Sequence, residues 1–185
     1  MATKRNDNVK EKILESAEKL LISEAQTLSL ADIADAAGVS KGTLYYYFKT
    51  KDDLLLSLTD RLLSERKKAL TSWASNPDKD TSLHRFVGYV MQYNTTDDHR
   101  LRLFYAAMSG NANVRERFLA LYGEFSALLE TLIAARTDKM DAKFLSWAIL
   151  LCCDGIIIQK NLANDGFDPE KFIDFCCRYS EKLEK

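Results

Sequence analysis

The sequence has little proline and glycine, with 2 Pro and 7 Gly in 185 residues. A sandwich or barrel of short strands needs a turn about every ten residues, and these two residues are the strongest turn formers. An all-β fold is therefore disfavoured, and long helices are expected. The amino terminus, MATKRNDNVK, has no apolar segment after its basic residues. It does not have the pattern of a secretory signal peptide.

Long hydrophobic runs are also missing. The longest apolar stretch, Phe144–Ile158, is interrupted by Ser146 and Asp154 and is shorter than the roughly 20 residues that span a bilayer. We therefore expect no membrane segment and predict a cytoplasmic protein. The 26 basic and 27 acidic residues give a net charge of -1, and 46% of the residues are hydrophobic. This composition is typical of a soluble globular protein.

Motifs for catalysis are absent as well. The chain has no Ser-His-Asp set, HExxH, P-loop or CxxC motif, so we predict no catalytic site, no cofactor and no metal site. Its four cysteines form two adjacent pairs, Cys152-Cys153 and Cys176-Cys177. Adjacent helical residues point about 100° apart, so neither pair easily presents both thiols to one metal. Buried thiols are the favoured interpretation, and a thiol-responsive or metal-responsive role stays open as the alternative.

Apolar residues recur at helical spacing through most of the chain and predict about nine helices, hence an all-α fold. The first helix begins near Val9. Ser29, Ser40 and Thr50 are good N-caps for the next three, and the fourth helix ends near the breaker Asn76-Pro77-Asp78. Five more helices are predicted beyond it: Thr81–Asn94, Asp98–Ser109, Val114–Arg136, Met140–Ala163 and Pro169–Leu183.

The second and third helices are separated by a very tight turn at Gly38. In the third helix, Lys41–Phe48, the apolar pair Leu44 and Phe48 faces inward, and three consecutive tyrosines cannot all be core. This is the pattern of a helix-turn-helix that reads DNA. The segment 30–55, LADIADAAGVSKGTLYYYFKTKDDLL, resembles the N-terminal domain of the TetR family of transcriptional repressors.

The resemblance implies that the third helix lies in the major groove of double-stranded operator DNA. Residues at its base-reading positions have suitable chemistry, because Lys donates to guanine, Tyr offers a hydroxyl and a ring, and Gly permits close approach. Thr43, Tyr47 and Lys51 match positions that hold phosphates. The predicted DNA-binding residues are Ser40, Lys41, Gly42, Thr43, Tyr45, Tyr46, Tyr47 and Lys51. The predicted domains are a helix-turn-helix domain at 1–50 and a helical ligand-binding and dimerisation domain at 51–185.

The resemblance also implies a ligand cavity among the middle helices. That part of the chain is rich in amphipathic aromatics, which suit a mostly apolar pocket with a few polar groups. Simple core packing is the alternative for each of them. The candidate ligand-binding residues are Tyr89, Tyr93, Phe104, Tyr105, Met108, Tyr122, Phe125 and Trp147.

The last two helices match the place where the family forms its dimer, and a segment as apolar as Trp147–Ile158 needs more partners than a chain of this size supplies. A homodimer would place the reading helices about 34 Å apart and require a palindromic operator. The leading hypothesis is a homodimeric repressor released by a small-molecule effector. The alternatives are a helical-bundle enzyme or binding protein with an incidental helix-turn-helix, and a regulator whose apolar helices meet a different protein.

Overall fold

The computed structural model describes residues 2–23, 29–95, 108 and 112–184, and within these ranges it is helical with no strand. The all-α prediction is confirmed. The helix predicted at Asp98–Ser109 lies, apart from Met108, outside the described residues. The other eight predicted helices are present: α1 (Ala2–Ser23), α2 (Leu30–Ala36), α3 (Lys41–Tyr47), α4 (Lys51–Ala74), α5 (Leu83–Thr95), α6 (Ala112–Ala134), α7 (Ala142–Asn161) and α8 (Pro169–Glu181).

The helix starts near the amino terminus are fixed by local caps. Before α2, the Ser29 hydroxyl accepts from the Asp32 amide (3.3 Å), and the Asp32 carboxylate accepts from the Ser29 amide (2.8 Å). This reciprocal arrangement is a capping box. The Ser40 hydroxyl accepts from the Thr43 amide at the start of α3 (3.0 Å). The N-caps expected at Ser29 and Ser40 are therefore in place, although α1 begins earlier than predicted.

The described chain divides into two compact units. The first contains α1 to α3, α4 as far as Leu62, and the start of α6 as far as Phe118. The second contains the rest of α4 and α6 together with α5, α7 and α8. The domain boundary expected after residue 50 stays a prediction.

The first unit is built around a small apolar core. Ile13 and Ala17 of α1, Ile33 of α2, and Leu44 and Phe48 of the α3 segment are each at most 1% exposed. These positions follow the helical spacing of the sequence, so the amphipathic pattern directly determines which faces meet.

Ion pairs add cross-links at the surface of this first unit. Arg61 of α4 donates to Glu11 and Glu18 of α1, and Arg117 of α6 lies 2.9 Å from Asp60 of α4. Such surface pairs each contribute about 0 to 1 kcal/mol. The apolar core therefore supplies most of the stability.

In the second unit α5 packs against both α7 and α8. Phe86 and Met91 of α5 are buried, as are Leu150 and Cys153 of α7. Arg136 donates to the Thr81 carbonyl (2.6 Å), and its guanidinium lies 4.8 Å from the Phe86 ring centroid. Burial lowers the pKa of this guanidinium, which remains charged at neutral pH.

The outer face of α7 is apolar. By length and composition alone, this helix could cross a membrane, a test that a core helix of a soluble protein also passes. It carries the ionisable residue Asp154, whose carboxylate accepts a hydrogen bond from the Tyr122 hydroxyl. Exposed apolar residues of α7, the residue after it, and α8 are Phe144, Trp147, Leu151, Ile158, Leu162, Phe175 and Tyr179.

Candidate functional site

The α3 helix has one buried edge and one open face. Its Leu44 is fully buried and the following Phe48 nearly so, whereas Tyr45 and Tyr46 are 46% and 69% exposed. The helix is held close to α2 because the amide after Gly38 bonds back to the Ala34 carbonyl (3.0 Å). Gly38 itself has φ of +60°, a left-handed conformation that glycine adopts without strain.

The four residues predicted to reach base edges are all exposed: Lys41, Gly42, Tyr45 and Tyr46. Their spacing of one and four residues places them on one side of a helix. A Cβ at Gly42 would meet only the Ser40 hydroxyl, at an ordinary 3.8 Å. The fold therefore has room for a side chain at position 42, and the missing side chain instead leaves backbone open to an approaching partner.

The three residues predicted to hold phosphates are half-buried. The Thr43 hydroxyl lies 2.8 Å from that of Ser40, and the Tyr47 ring meets Tyr46 edge to face with centroids 5.1 Å apart. Lys51 is the first residue of α4. These contacts fix the geometry of the side chains, as expected of groups that position DNA rather than read it.

The structure also places two cations of α1 beside this surface. The Lys10 ammonium is 5.9 Å from the Phe48 ring centroid, and the Lys12 ammonium lies 3.5 Å from where a Cβ on Gly38 would stand. Both belong to a helix outside the helix-turn-helix segment. Sequence reasoning missed them because nothing in the local motif signals which α1 residues approach the turn.

A broad cleft of about 1060 Å³ lies in the second unit, between α5 and the ends of α4, α7 and α8. Trp73 and Tyr89 stack in it with ring centroids 4.5 Å apart, and Tyr93 stacks on Tyr89 at 5.8 Å. Burial raises the pKa of the Tyr89 hydroxyl. The rest of the lining includes both signs of charge, from Arg85, Lys160, Asp168, Glu170 and Asp174.

The predicted ligand-binding residues have different environments. Tyr89 lines the cleft and Tyr93 is 40% exposed beside it. Tyr122 and Phe125 are buried, and Trp147 is 39% exposed with its ring 5.7 Å from that of Tyr122. Met108 is 65% exposed. The two remaining candidates, Phe104 and Tyr105, lie outside the described residues.

A second, mostly apolar cavity of about 300 Å³ lies where α5, α7 and α8 meet. Met91, Phe144, Phe175 and the thiol-bearing Cys152 and Cys176 contribute to its lining. The Cys176 thiol hydrogen-bonds to the sulfur of Cys152 across the two helices. The sequence analysis considered only the adjacent pairs and therefore missed this contact. Among the residues described by the structure, no group of three or more His, Cys, Asp or Glu residues is placed to hold a metal ion.

Comparisons with known proteins agree with the helix-turn-helix. A family model described as "Bacterial regulatory proteins, tetR family" matches residues 13–58. The HTH-type transcriptional regulator EthR of Mycobacterium tuberculosis (strain ATCC 25618 / H37Rv) is 31% identical over 131 residues, which are 69% of this chain and 61% of EthR. The chain thus matches less than two thirds of the length of this relative.

Two solved structures share the fold over almost the whole chain. A TetR transcription regulator from Haloarcula marismortui has a TM-score of 0.74 and 19% identity, covering 97% of this chain and 100% of that one. The transcriptional regulator FadR from Bacillus subtilis, in complex with stearoyl-CoA, has a TM-score of 0.71 and 15% identity, covering 91% and 95%. The names of these relatives are those of transcriptional regulators, in agreement with the prediction that the chain is not an enzyme.

Proposed function

Because the chain belongs to the TetR family of bacterial regulatory proteins, we propose that it is a DNA-binding transcriptional regulator that acts as a homodimeric repressor. In this proposal α3 enters the major groove of a palindromic operator. A small molecule bound among the C-terminal helices then favours a state that no longer fits the operator.

The open face of α3 is the observation that carries the proposal. It combines an exposed ammonium at Lys41, open backbone at Gly42 and the exposed ring and hydroxyl of Tyr45. These groups can meet guanine acceptors and thymine methyls at base edges. Lys51 and Tyr47 flank them and would contact phosphates on either side. A purely structural helix would not need three unpartnered polar groups on one side.

The direct test is fluorescence anisotropy with the DNA that flanks the protein's own gene, a random duplex and a salt titration. We expect saturable binding that prefers the flanking DNA and weakens as salt rises, because phosphate contacts release counterions. Equal weak binding to both duplexes, followed by failure to enrich any sequence from a random pool, would contradict the proposal.

The apolar face of α7 and α8 supports the homodimer. Leu151 is 64% and Phe175 58% exposed, and large exposed apolar patches mark protein interaction sites. A second copy of the chain offers the same face, as a two-fold interface requires. Light scattering should give twice the mass of one chain. A monomer, or a stable particle only with a different protein, would favour the alternative of a heterologous partner.

The aromatic cleft supports binding of an amphipathic small molecule in the second unit. The Trp73–Tyr89 stack offers an apolar surface, and the charged rim offers polar handles. We propose that the effector contacts Tyr89 and other members of the aromatic set predicted above. A panel of amphipathic compounds is screened for those that raise the unfolding temperature and release operator DNA. Active compounds should lose both effects in Tyr89→Ala, and equal effects in that variant would place the binding site elsewhere.

A further inference from the structure

The contact between two thiols in the small apolar cavity points to a function that DNA binding does not use. Cys152 is on α7 and Cys176 is on α8, and both line the same cavity of about 300 Å³. Both are half-buried free cysteines. We propose that these two residues are an oxidation site, at which peroxide joins them in an intrachain disulfide that ties α7 to α8.

The cavity gives a small oxidant access to the sulfur atoms. Phe144, Phe175 and Tyr179 contribute to its wall and are each more than half exposed, so the cavity reaches the surface. Cys153 is different, because it is fully buried in the core. Cys177 lies on the other side of α8 and lines the broad cleft instead. The position of the sulfur atoms therefore distinguishes one member of each adjacent pair.

The surroundings also favour a reactive thiolate at one of the two positions. The hydrogen bond from Cys176 lowers the pKa of Cys152 to about 7, and the same contact together with burial raises the pKa of Cys176. The lining from α5 is apolar, Val87 and Met91, and the cavity wall contains no Asp, Glu, Lys, Arg or His. Cys152 is thus the attacking sulfur, since the thiolate is the nucleophilic form.

The reaction balances with hydrogen peroxide as the oxidant. The Cys152 thiolate attacks one peroxide oxygen, a bond forms between sulfur and oxygen, the O–O bond breaks, and the departing hydroxide takes up a proton to give water. The Cys176 sulfur then loses its proton and attacks the sulfenic sulfur, forming the disulfide and releasing a second water. The two thiols together lose two electrons, which the peroxide gains.

The experiment treats the reduced full-length protein with hydrogen peroxide, blocks the remaining thiols, and maps the peptides by mass spectrometry without reduction. We expect one bridged peptide pair containing Cys152 and Cys176, a loss of two hydrogens in the intact mass, and full reversal by dithiothreitol. Circular dichroism before oxidation confirms that each variant is folded.

The neighbouring cysteines provide matched controls. Cys152→Ser and Cys176→Ser should each abolish the bridge, whereas Cys177→Ser and Cys153→Ala should retain it. Bridging between two chains, a different cysteine pair, or oxygen addition at Cys152 without a bridge in the wild-type protein would each overturn the proposal. Because the readout is the sulfur atoms themselves, it is independent of operator binding.

Discussion

The face of α3 and the face of α7 both expose aromatic side chains, but the surrounding chemistry differs. On α3, Tyr45 and Tyr46 are interleaved with Lys41 and the bare backbone of Gly42. On α7 the exposed set is Phe144, Trp147, Leu151 and Ile158, without a basic residue among them. Tyrosine and lysine suit a charged and hydrogen-bonding partner such as DNA. An aliphatic and aromatic stripe suits another protein surface.

The two helices also depend on different sources of stability. The α3 helix has only seven residues, too few to be stable alone, so it depends on its Ser40 cap and its buried edge. The α7 helix has 20 residues and a buried stripe that includes Leu150 and Ile156. Exposed changes on α7 should therefore alter association more than folding, whereas changes at the buried edge of α3 should unfold the reading unit.

The largest expected effect is on the stability of the first unit. Leu44→Ala leaves a cavity at a fully buried position, and such substitutions cost about 2–5 kcal/mol. Denaturant unfolding followed by circular dichroism measures the loss. Tyr46→Ala, at a site that is 69% exposed, is the control and should change the free energy of unfolding far less. Equal losses would mean that α3 does not pack as described.

The next effect concerns dimerisation. Leu151→Glu places a charge at a 64% exposed position on the proposed interface of α7, and Leu119→Glu makes the same change at a 62% exposed position on α6. A buried, unpaired charge costs several kcal/mol, so we expect the first variant to weaken the dimer by about 100-fold or more. Sedimentation equilibrium should show the second variant unchanged. Dissociation by both variants, or by neither, would contradict this interface.

A smaller effect separates reading from positioning within the DNA surface. Tyr45→Ala should lose discrimination between operator and random DNA by about 1–3 kcal/mol, because its contact is to a base edge. Lys51→Ala should weaken both duplexes about equally and lower the salt slope by about one unit. Anisotropy titrations at several salt concentrations measure both quantities. The proposed docking is wrong if both variants behave like the parent protein.

Local signals in the sequence were sufficient for the helices and the turn. Ser29 and Ser40 act on amides only three residues away, and Leu44 and Phe48 are buried as their spacing predicts. These features depend on short-range chemistry that a single sequence displays. The placement of Tyr45 and Tyr46 outside the core follows from the same helical period.

Contacts between distant segments could not be predicted in the same way. An aromatic residue has the same sequence signal whether it lines a cleft, as Tyr89 does, or packs in the core, as Phe125 does. The meeting of Cys152 with Cys176 depends on how α7 and α8 both pack against α5. Which residues form the effector site remains a prediction, because periodicity specifies a buried face without specifying what that face encloses.

The smallest effect tests the caps of the first unit through pH. The hydrogen bonds from Ser29 lower the pKa of Asp32 below 3.8 in the folded protein. A carboxyl whose folded pKa is depressed stabilises the fold above its unfolded pKa, and that stabilisation is lost as pH falls through the folded value. Asp32→Asn should therefore be slightly less stable than the parent protein at neutral pH, and the difference should close below about pH 3. Urea unfolding at several pH values measures the gap, and a gap that stayed constant into strong acid would show that the Asp32 charge does not stabilise the start of α2.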